Sequence, residues 1–508
     1  MTSLLHANTL AVVVILGLCG LTGCPSRKSR TPPDTIVVVL DGVMTSADPR
    51  YTLSNYDGKL AKLAHAGLTA IDTPSLEPRL DLAARVDRVD DKTWEVEVRT
   101  DAQFSDGSPV LAEDVAFTFE SMMAEDSDSP LHRGFSERFR DIEVVAPRVV
   151  RFHLHEKLAT FLTDIDFGIV SRTKKGAGPY IVRDLDAQRA VLERNPHYVP
   201  LPKMKHVEIK FVPDASARLL MLVGGSADLV QNGVRLDLLD EVAERPRVKM
   251  ESAPSALLTY LIFNNEDPVL QDKRVRQAIA LALDRPEIVA AMFDGRCVLA
   301  TGLLPPTSWA YEPDVARWSR DLPRAKALLD EAGHRDPDGD GPLPRIRLVY
   351  KTSSDAFRVA IAKVIAAQLA QVGIAVEVRS FERLTFFADL KKGLYQLASA
   401  QTSDIADPDY YFTYFHSSRV PTTKNPDGLN RWKYRNARID ELTKRGRGEL
   451  DREVRKQLYS EVQKLLADEL PVVPLWHEDN VTFTNLGVEG YTMTANARLQ
   501  GLVTTRKP

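Results

Sequence analysis

Apolar and polar residues alternate through Trp94-Glu95-Val96-Glu97-Val98-Arg99, the period-two pattern of a strand that buries Trp94, Val96 and Val98. Asp114 then opens a helical pattern in which Val115, Phe119 and Met122 share one face. Further on, Ile346 to Tyr350 reads as a strand. Phe357 to Leu369 reads as a helix with Phe357, Ile361, Val364, Ile365 and Leu369 inward, and Ile374 to Val378 as the next strand. Gly373 stands where that helix must stop. Strand, helix and strand in this order form a βαβ unit, which predicts a largely parallel sheet in at least part of the molecule. Asp272 caps a helix running to Leu283, and Asp284-Arg285-Pro286 restarts another with proline at its first position. Asp451 precedes a helix carrying Val454, Leu458, Val462 and Leu465. Short strands and helices alternate in this way along most of the chain with no internal repeat, so the fold class is α/β.

The beginning of the chain follows a different pattern. Its first 23 residues hold no Lys, Arg, Asp or Glu, and Leu10 to Cys19 form an apolar run too short to span a bilayer. The run ends in Leu21-Thr22-Gly23-Cys24, which resembles the bacterial lipobox, although His6 stands where Lys or Arg is usual. That resemblance implies a signal peptide at 1–23, a diacylated Cys24 and a solvated tether at 24–33; an uncleaved anchor helix is the alternative. Of the three cysteines, Cys19 would leave with the leader and Cys24 would carry lipid. Cys297 is then alone, so neither a disulfide nor a cysteine metal site is expected. The 66 basic and 70 acidic residues give a net charge of -4 with no basic block, which argues against nucleic acid as a partner.

The strand at Trp94, followed by Phe104-Ser105-Asp106-Gly107-Ser108-Pro109-Val110 and Ala112-Glu113-Asp114-Val115, resembles the signature of the family 5 extracellular solute-binding proteins, whose members bind oligopeptides, dipeptides and nickel complexes. Four further segments match in the family's order. They are Gly176-Ala177-Gly178-Pro179-Tyr180 with Arg194-Asn195-Pro196-His197-Tyr198; Phe263-Asn264-Asn265 with Val275-Arg276-Gln277-Ala278-Ile279 and Ala282-Leu283-Asp284-Arg285; Ala325 to Leu329 with Ala332-Gly333; and Asp407-Pro408-Asp409 with Tyr434-Arg435-Asn436. Most of these residues read as turns, caps and packing contacts rather than ligand contacts.

The resemblance implies a two-lobed periplasmic-binding-protein fold of class II, hinged about a cleft, with an extra subdomain in the first lobe. On that pattern the first lobe comprises 34–70, 176–262 and 480–508, the subdomain 71–175 and the second lobe 263–479, with crossings near Phe263 and Asp479. It further implies that Asp404 is the carboxylate that holds a peptide's α-amino group, a role suited to an ammonium buried in a closed cleft. The main chain of Ala400, Gln401 and Thr402 would run along the ligand by β-augmentation, with Ser54 and Asn55 opposite in the first lobe. Relatives often carry Gly-Trp where this chain has Ala400-Gln401, and dipeptide binders carry an Arg near what is here Thr352-Ser353-Ser354. Those departures argue against a strict dipeptide binder and leave a longer peptide or a non-peptide amine open.

Other motifs are weaker. Asp336-Pro337-Asp338-Gly339-Asp340-Gly341 places acids at alternate positions like a calcium loop, but Arg347 stands where a bidentate Glu is needed, so a solvated turn is expected. His153, His155 and Glu156 read as strand residues rather than zinc ligands, and Gly176-Ala177-Gly178 lacks the third glycine of a dinucleotide loop. No nucleophile, base and oxyanion set can be assembled from motifs, which ranks a periplasmic hydrolase far behind a binding protein. The resemblances thus imply a monomeric, lipid-anchored, non-enzymatic receptor outside the cytoplasm, with no resident metal or cofactor. It would deliver peptides to an ABC permease driven by ATPase subunits. A receptor for a nickel chelate, an oligosaccharide or a signalling peptide is the alternative.

Overall fold

The computed structural model describes residues 30–52, 54–233, 242, 244–245, 247–339, 341–403 and 405–507. Cys24, Asp340 and Asp404 lie outside the described residues. Strand β1 (Thr35–Leu40) carries the run Ile-Val-Val-Val-Leu, every residue of it buried, as befits a strand in the middle of a sheet covered on both faces. After β1 come a two-stranded ribbon, β2 (Thr69–Ala70) and β3 (Arg79–Leu80), and then β4 (Ala83–Arg88) and β5 (Thr93–Val98). The last two join β6 (Phe139–Ala146) and β7 (Val149–Leu154) in an antiparallel sheet of order β4-β5-β7-β6. Phe104, Phe119, Phe139, Phe152 and Phe161 fill its core, and their rings meet mostly edge to face.

The chain then returns through β8 (Tyr180–Leu185), β9 (Arg189–Arg194), β10 (His206–Phe211) and β11 (Leu229–Gln231) to a long strand, β12 (Val248–Phe263). Next come β13 (Cys297–Leu299), β14 (Ile346–Ser353), β15 (Ile374–Phe381), β16 (Leu397–Thr402) and a second long strand, β17 (Val472–Asn485). All belong to one eleven-stranded sheet whose order is β15-β14-β16-β12-β17-β11-β1-β10-β9-β8, with β13 on β17. β12 and β17 join its two halves: β12 bonds to β16 through Leu258–Phe263, while β17 bonds to β11 through Leu229–Gln231. Between Ala253 and Leu257 their mutual pairing shifts register.

The predicted βαβ unit is present. β14 and β15 run parallel on either side of the helix Ala356–Ala370, with Asp355 accepting from the Arg358 N–H at 2.9 Å at its start and Gly373 at φ +82° after its end. Three details differ from expectation. The helix Ala112–Met123 begins two residues before Asp114, whose carboxylate reaches back to the Leu111 N–H at 3.0 Å; Pro286 is the second rather than the first residue of its helix. Val454 is 41% exposed, and Arg455 and Tyr459 are buried beside Leu458 and Val462 instead. Gly176 and Gly178 are turn residues of a specific kind: a Cβ there would come within 2.0 and 2.4 Å of main-chain atoms of Ala64. No described helix is long and apolar enough to cross a membrane.

Candidate functional site

β14 and β16 are parallel neighbours that pair only at Tyr350 with Leu397 and Lys351 with Ala398. Beyond that point β14 continues against β15 to Ser353, and β16 continues against β12 to Thr402. The two strands therefore part at their C-terminal ends and open a wedge. Topology explains it: the chain leaves β14 for β15 on one side and leaves β16 for β17 on the other, so the connections diverge. One wall of the wedge is Ser353-Ser354 and the capped start of the helix Ala356–Ala370. The other is Ser399 to Thr402, whose edge facing the gap has no strand partner among the described residues.

Of the residues singled out from sequence, Ala400, Gln401 and Thr402 lie on this edge. Their side chains are engaged on the protein's own side: Gln401 Nε2 donates to Thr259 Oγ1 at 3.1 Å and Glu478 Oε1 at 2.7 Å, and Thr402 Oγ1 lies 2.8 Å from the Tyr414 hydroxyl. Ala400 packs on the neighbouring aromatic cluster. Ser54 caps the helix Asn55–Ala64 in a reciprocal box with Asp57, accepting from its N–H at 3.1 Å and donating to its carboxylate at 2.8 Å. Asn55, one residue on, donates from Nδ2 to Ser403 Oγ at 3.1 Å, a contact between segments 348 residues apart. Ser54-Asn55 and the residue that follows β16 thus come together, directly before Asp404 in the sequence.

Three groups here carry no sequence signal. Arg358 meets both carboxylate oxygens of Glu478, at 3.0 and 3.4 Å, and Glu478 also accepts from Thr259 Oγ1 at 2.6 Å. The third is Tyr56, whose ring lies over Gly42, where a Cβ would come within 2.2 Å of it. Its hydroxyl donates to Asp41 at 2.6 Å, and burial first, then the Asp41 charge, hold its proton on well above the ordinary phenol range. Only contact across the folded chain reveals these, since Arg358 and Glu478 are 120 residues apart.

The Asp-Pro-Asp segment follows β16 in the chain. Asp407 takes both arms of Arg455, at 2.8 and 2.5 Å. Asp409 lies 3.5 Å from Arg447 and 3.4 Å from the Tyr459 hydroxyl. Burial raises the Asp409 carboxyl to about 6 despite the attraction of Arg447, with the Asp407 charge adding to the rise. The same elements touch the region of the four-stranded sheet: the Ala159 N–H donates to the Arg447 carbonyl at 2.9 Å, and Arg452 pairs with Glu77 at 2.6 Å. Ile71 and Leu76 share a small apolar cluster with Ala256 and Ala406.

The discounted motifs behave as turns and strand residues. Asp336 Oδ1 accepts from the N–H groups of Asp338 and Gly339, at 3.2 and 2.9 Å. His153 packs beside Thr93 and Glu143 on β7, and no group of metal-ligating residues occurs among the described residues. Cys297 is a free, partly buried thiol.

A model of the bacterial extracellular solute-binding proteins, family 5 (middle), matches residues 77–422. The chain is 26% identical to the probable D,D-dipeptide-binding periplasmic protein DdpA of Escherichia coli, over 94% of this chain and 95% of that protein. It is similar to the oligopeptide-binding protein AppA of Bacillus subtilis in complex with a nonapeptide, with a TM-score of 0.80 and 25% identity over 93% and 99% of the two chains. NikZ of Campylobacter jejuni in complex with Ni(L-His) has the same fold, with a TM-score of 0.81 and 22% identity over 94% and 100%. The chain belongs to family 5 of the bacterial extracellular solute-binding proteins, the solute-capturing components of ABC importers.

Proposed function

We propose that this protein captures peptides in the wedge between β14 and β16 and delivers them to an ABC permease, without chemistry of its own. The observation that carries the reading is the unpaired main-chain edge at Ser399 to Thr402, facing an opening and closed from the other side by Asn55. Such an edge reads an extended ligand through its main chain and leaves side chains largely unspecified. The names of relatives that bind D,D-dipeptides and a nonapeptide support the same class of ligand.

Asp404 follows this edge directly and is assigned the ligand's α-ammonium. Arg358 is the nearby cation suited to a terminal carboxylate, but Glu478 already takes its guanidinium. A ligand that runs past Arg358, longer than a dipeptide, fits this better than one that ends on it. The lobes are assigned as 34–70, 176–262 and 480–508 for the first, 71–175 for its subdomain and 263–479 for the second. Because Leu258–Phe263 pair with β16, the first crossing is assigned to the register break at Ala253–Leu257 rather than near Phe263, and the second to the facing residues Glu478 to Asn480. This shortens the first lobe's middle segment to end near Leu257. Lipid at Cys24 would hold the monomer at a membrane surface.

Incubating the purified protein with a random peptide pool and identifying what it retains by native mass spectrometry tests the assignment. Retention of intact peptides is expected. Shortened peptides would mean hydrolysis, and retention of a metal chelate with no peptide would favour a non-peptide solute.

A further inference from the structure

Away from the wedge, a cavity of about 240 Å³ lies where the four-stranded-sheet region meets the second lobe. One wall is Glu156-Lys157, just after β7; the other is formed by Phe412, His416, Ser418, Lys444 and Arg447, with Gly448 at the seam. The walls touch at two places. The Ala159 N–H donates to the Arg447 carbonyl at 2.9 Å, and a Cβ on Gly448 would lie 3.3 Å from the Lys157 carbonyl.

The cavity collects donors and positive charge. The Ser418 N–H donates to His416 Nδ1 at 3.1 Å, which leaves the neutral ring's proton on Nε2 as a free donor. Phe412 braces both neighbours: its ring centroid lies 4.4 Å from the Arg447 guanidinium carbon and 4.4 Å from the His416 ring centroid. Lys444 has no carboxylate within 4 Å among the described residues. Within 4 Å among the described residues, Lys157 meets one carboxylate, the exposed Asp91 at 3.6 Å, and Arg447 one, Asp409 at 3.5 Å. Glu156 is the single acid in the lining.

We propose that this cavity binds a free tetrahedral oxyanion of the phosphate class and that the anion favours the closed arrangement of the lobes. Closure sets Lys157 on one wall against Lys444 and Arg447 on the other; Asp164 behind the first wall attracts Arg447, but Lys157 and Lys444 meet as like charges. An anion between them reverses the sign of that interaction and touches both walls only when they meet, so it binds the closed form better than the open one. Ammonium, guanidinium and imidazole N–H groups are the donors that charged oxygens take most strongly. The site shares no residue with the wedge, so the proposal does not depend on the ligand held there.

The test is calorimetric titration of inorganic phosphate into wild type, Lys444→Met and Lys157→Met at fixed ionic strength, with chloride as the control anion and circular dichroism to confirm folding. Saturable one-to-one binding to wild type is expected, weakened about tenfold or more in each variant because the two lysines sit on opposite walls. Phosphate should also tighten capture of a retained peptide by wild type and not by Lys444→Met. Absence of saturable binding, or equal binding by all three proteins, would overturn the site. Weakening in Lys444→Met alone would place the anion on one wall and overturn its link to closure.

Discussion

Arg358 and Glu478, 120 residues apart in the chain, form a two-pronged ion pair at the root of the wedge, and Glu478 gathers two further donors from Thr259 and Gln401. The pair ties the start of the helix Ala356–Ala370 to the long strand β17 and so fixes one wall of the wedge against the strand that joins the two halves of the sheet.

Replacing Glu478 with alanine removes the acceptor of the buried Thr259 hydroxyl and the counter-charge of the part-buried Arg358, while exposed Gln401 keeps Thr259 and solvent. The expected loss of stability is about 1–3 kcal/mol, the range for a buried donor left unsatisfied. The urea midpoint should fall, and Glu478→Ala combined with Arg358→Met should recover part of the loss, because removing both members of such a pair costs less than removing one. Unchanged midpoints in the single variant would mean that water replaces Glu478 freely.

Asp409 predicts a pH dependence whose sign follows from its raised proton affinity. Its carboxyl titrates near 6 in the folded chain against an ordinary 3.8, because burial outweighs the attraction of Arg447 and Arg455 while Asp407 and Asp164 repel. The folded state therefore holds more protons than the unfolded state between about pH 4 and 6. The contribution of Asp409 is favourable at acid pH and is lost as pH rises through about 6. Asp409→Asn removes that dependence, so the variant should gain on wild type by on the order of 2–3 kcal/mol between pH 4 and pH 7. Urea midpoints for both proteins at the two pH values measure it. Parallel profiles would show that Asp409 is ionised throughout.

The parts of this architecture that repeat locally are legible in the sequence. The βαβ unit around Phe357 to Leu369 is visible because its apolar residues recur at helical spacing and Gly373 marks the stop. The segments that resemble the family mark caps and close approaches, such as Gly178 against Ala64 and Asp284 at a helix start. What the sequence does not reveal is contact between distant segments. Neither the Arg358–Glu478 pair, nor the exposure of Val454, nor the parting of β14 from β16 has a local pattern, since each depends on which elements the fold sets side by side. Asn55 was accessible only through resemblance; the structure adds that its partner is Ser403.

Cys24 is assigned to lipid on the lipobox alone. Cys24→Ser should leave the fold intact and release the protein from membranes, because it removes the lipid that this reading makes the anchor. Metabolic labelling with a fatty-acid analogue, followed by membrane fractionation, checks this. A wild type that takes up no label and fractionates as soluble would contradict the anchor.

The claim that this is a peptide receptor is tested most directly at Asp404, by titrating wild type and Asp404→Asn with a retained peptide and with its N-acetylated form. Four affinities give the coupling between the carboxylate and the ligand's amine. The account predicts that Asp404→Asn weakens the free-amine peptide by on the order of 2–5 kcal/mol, as when one member of a buried charged pair is lost, and hardly affects the acetylated one. Coupling near zero would contradict it, because the amine would then be held elsewhere or not at all.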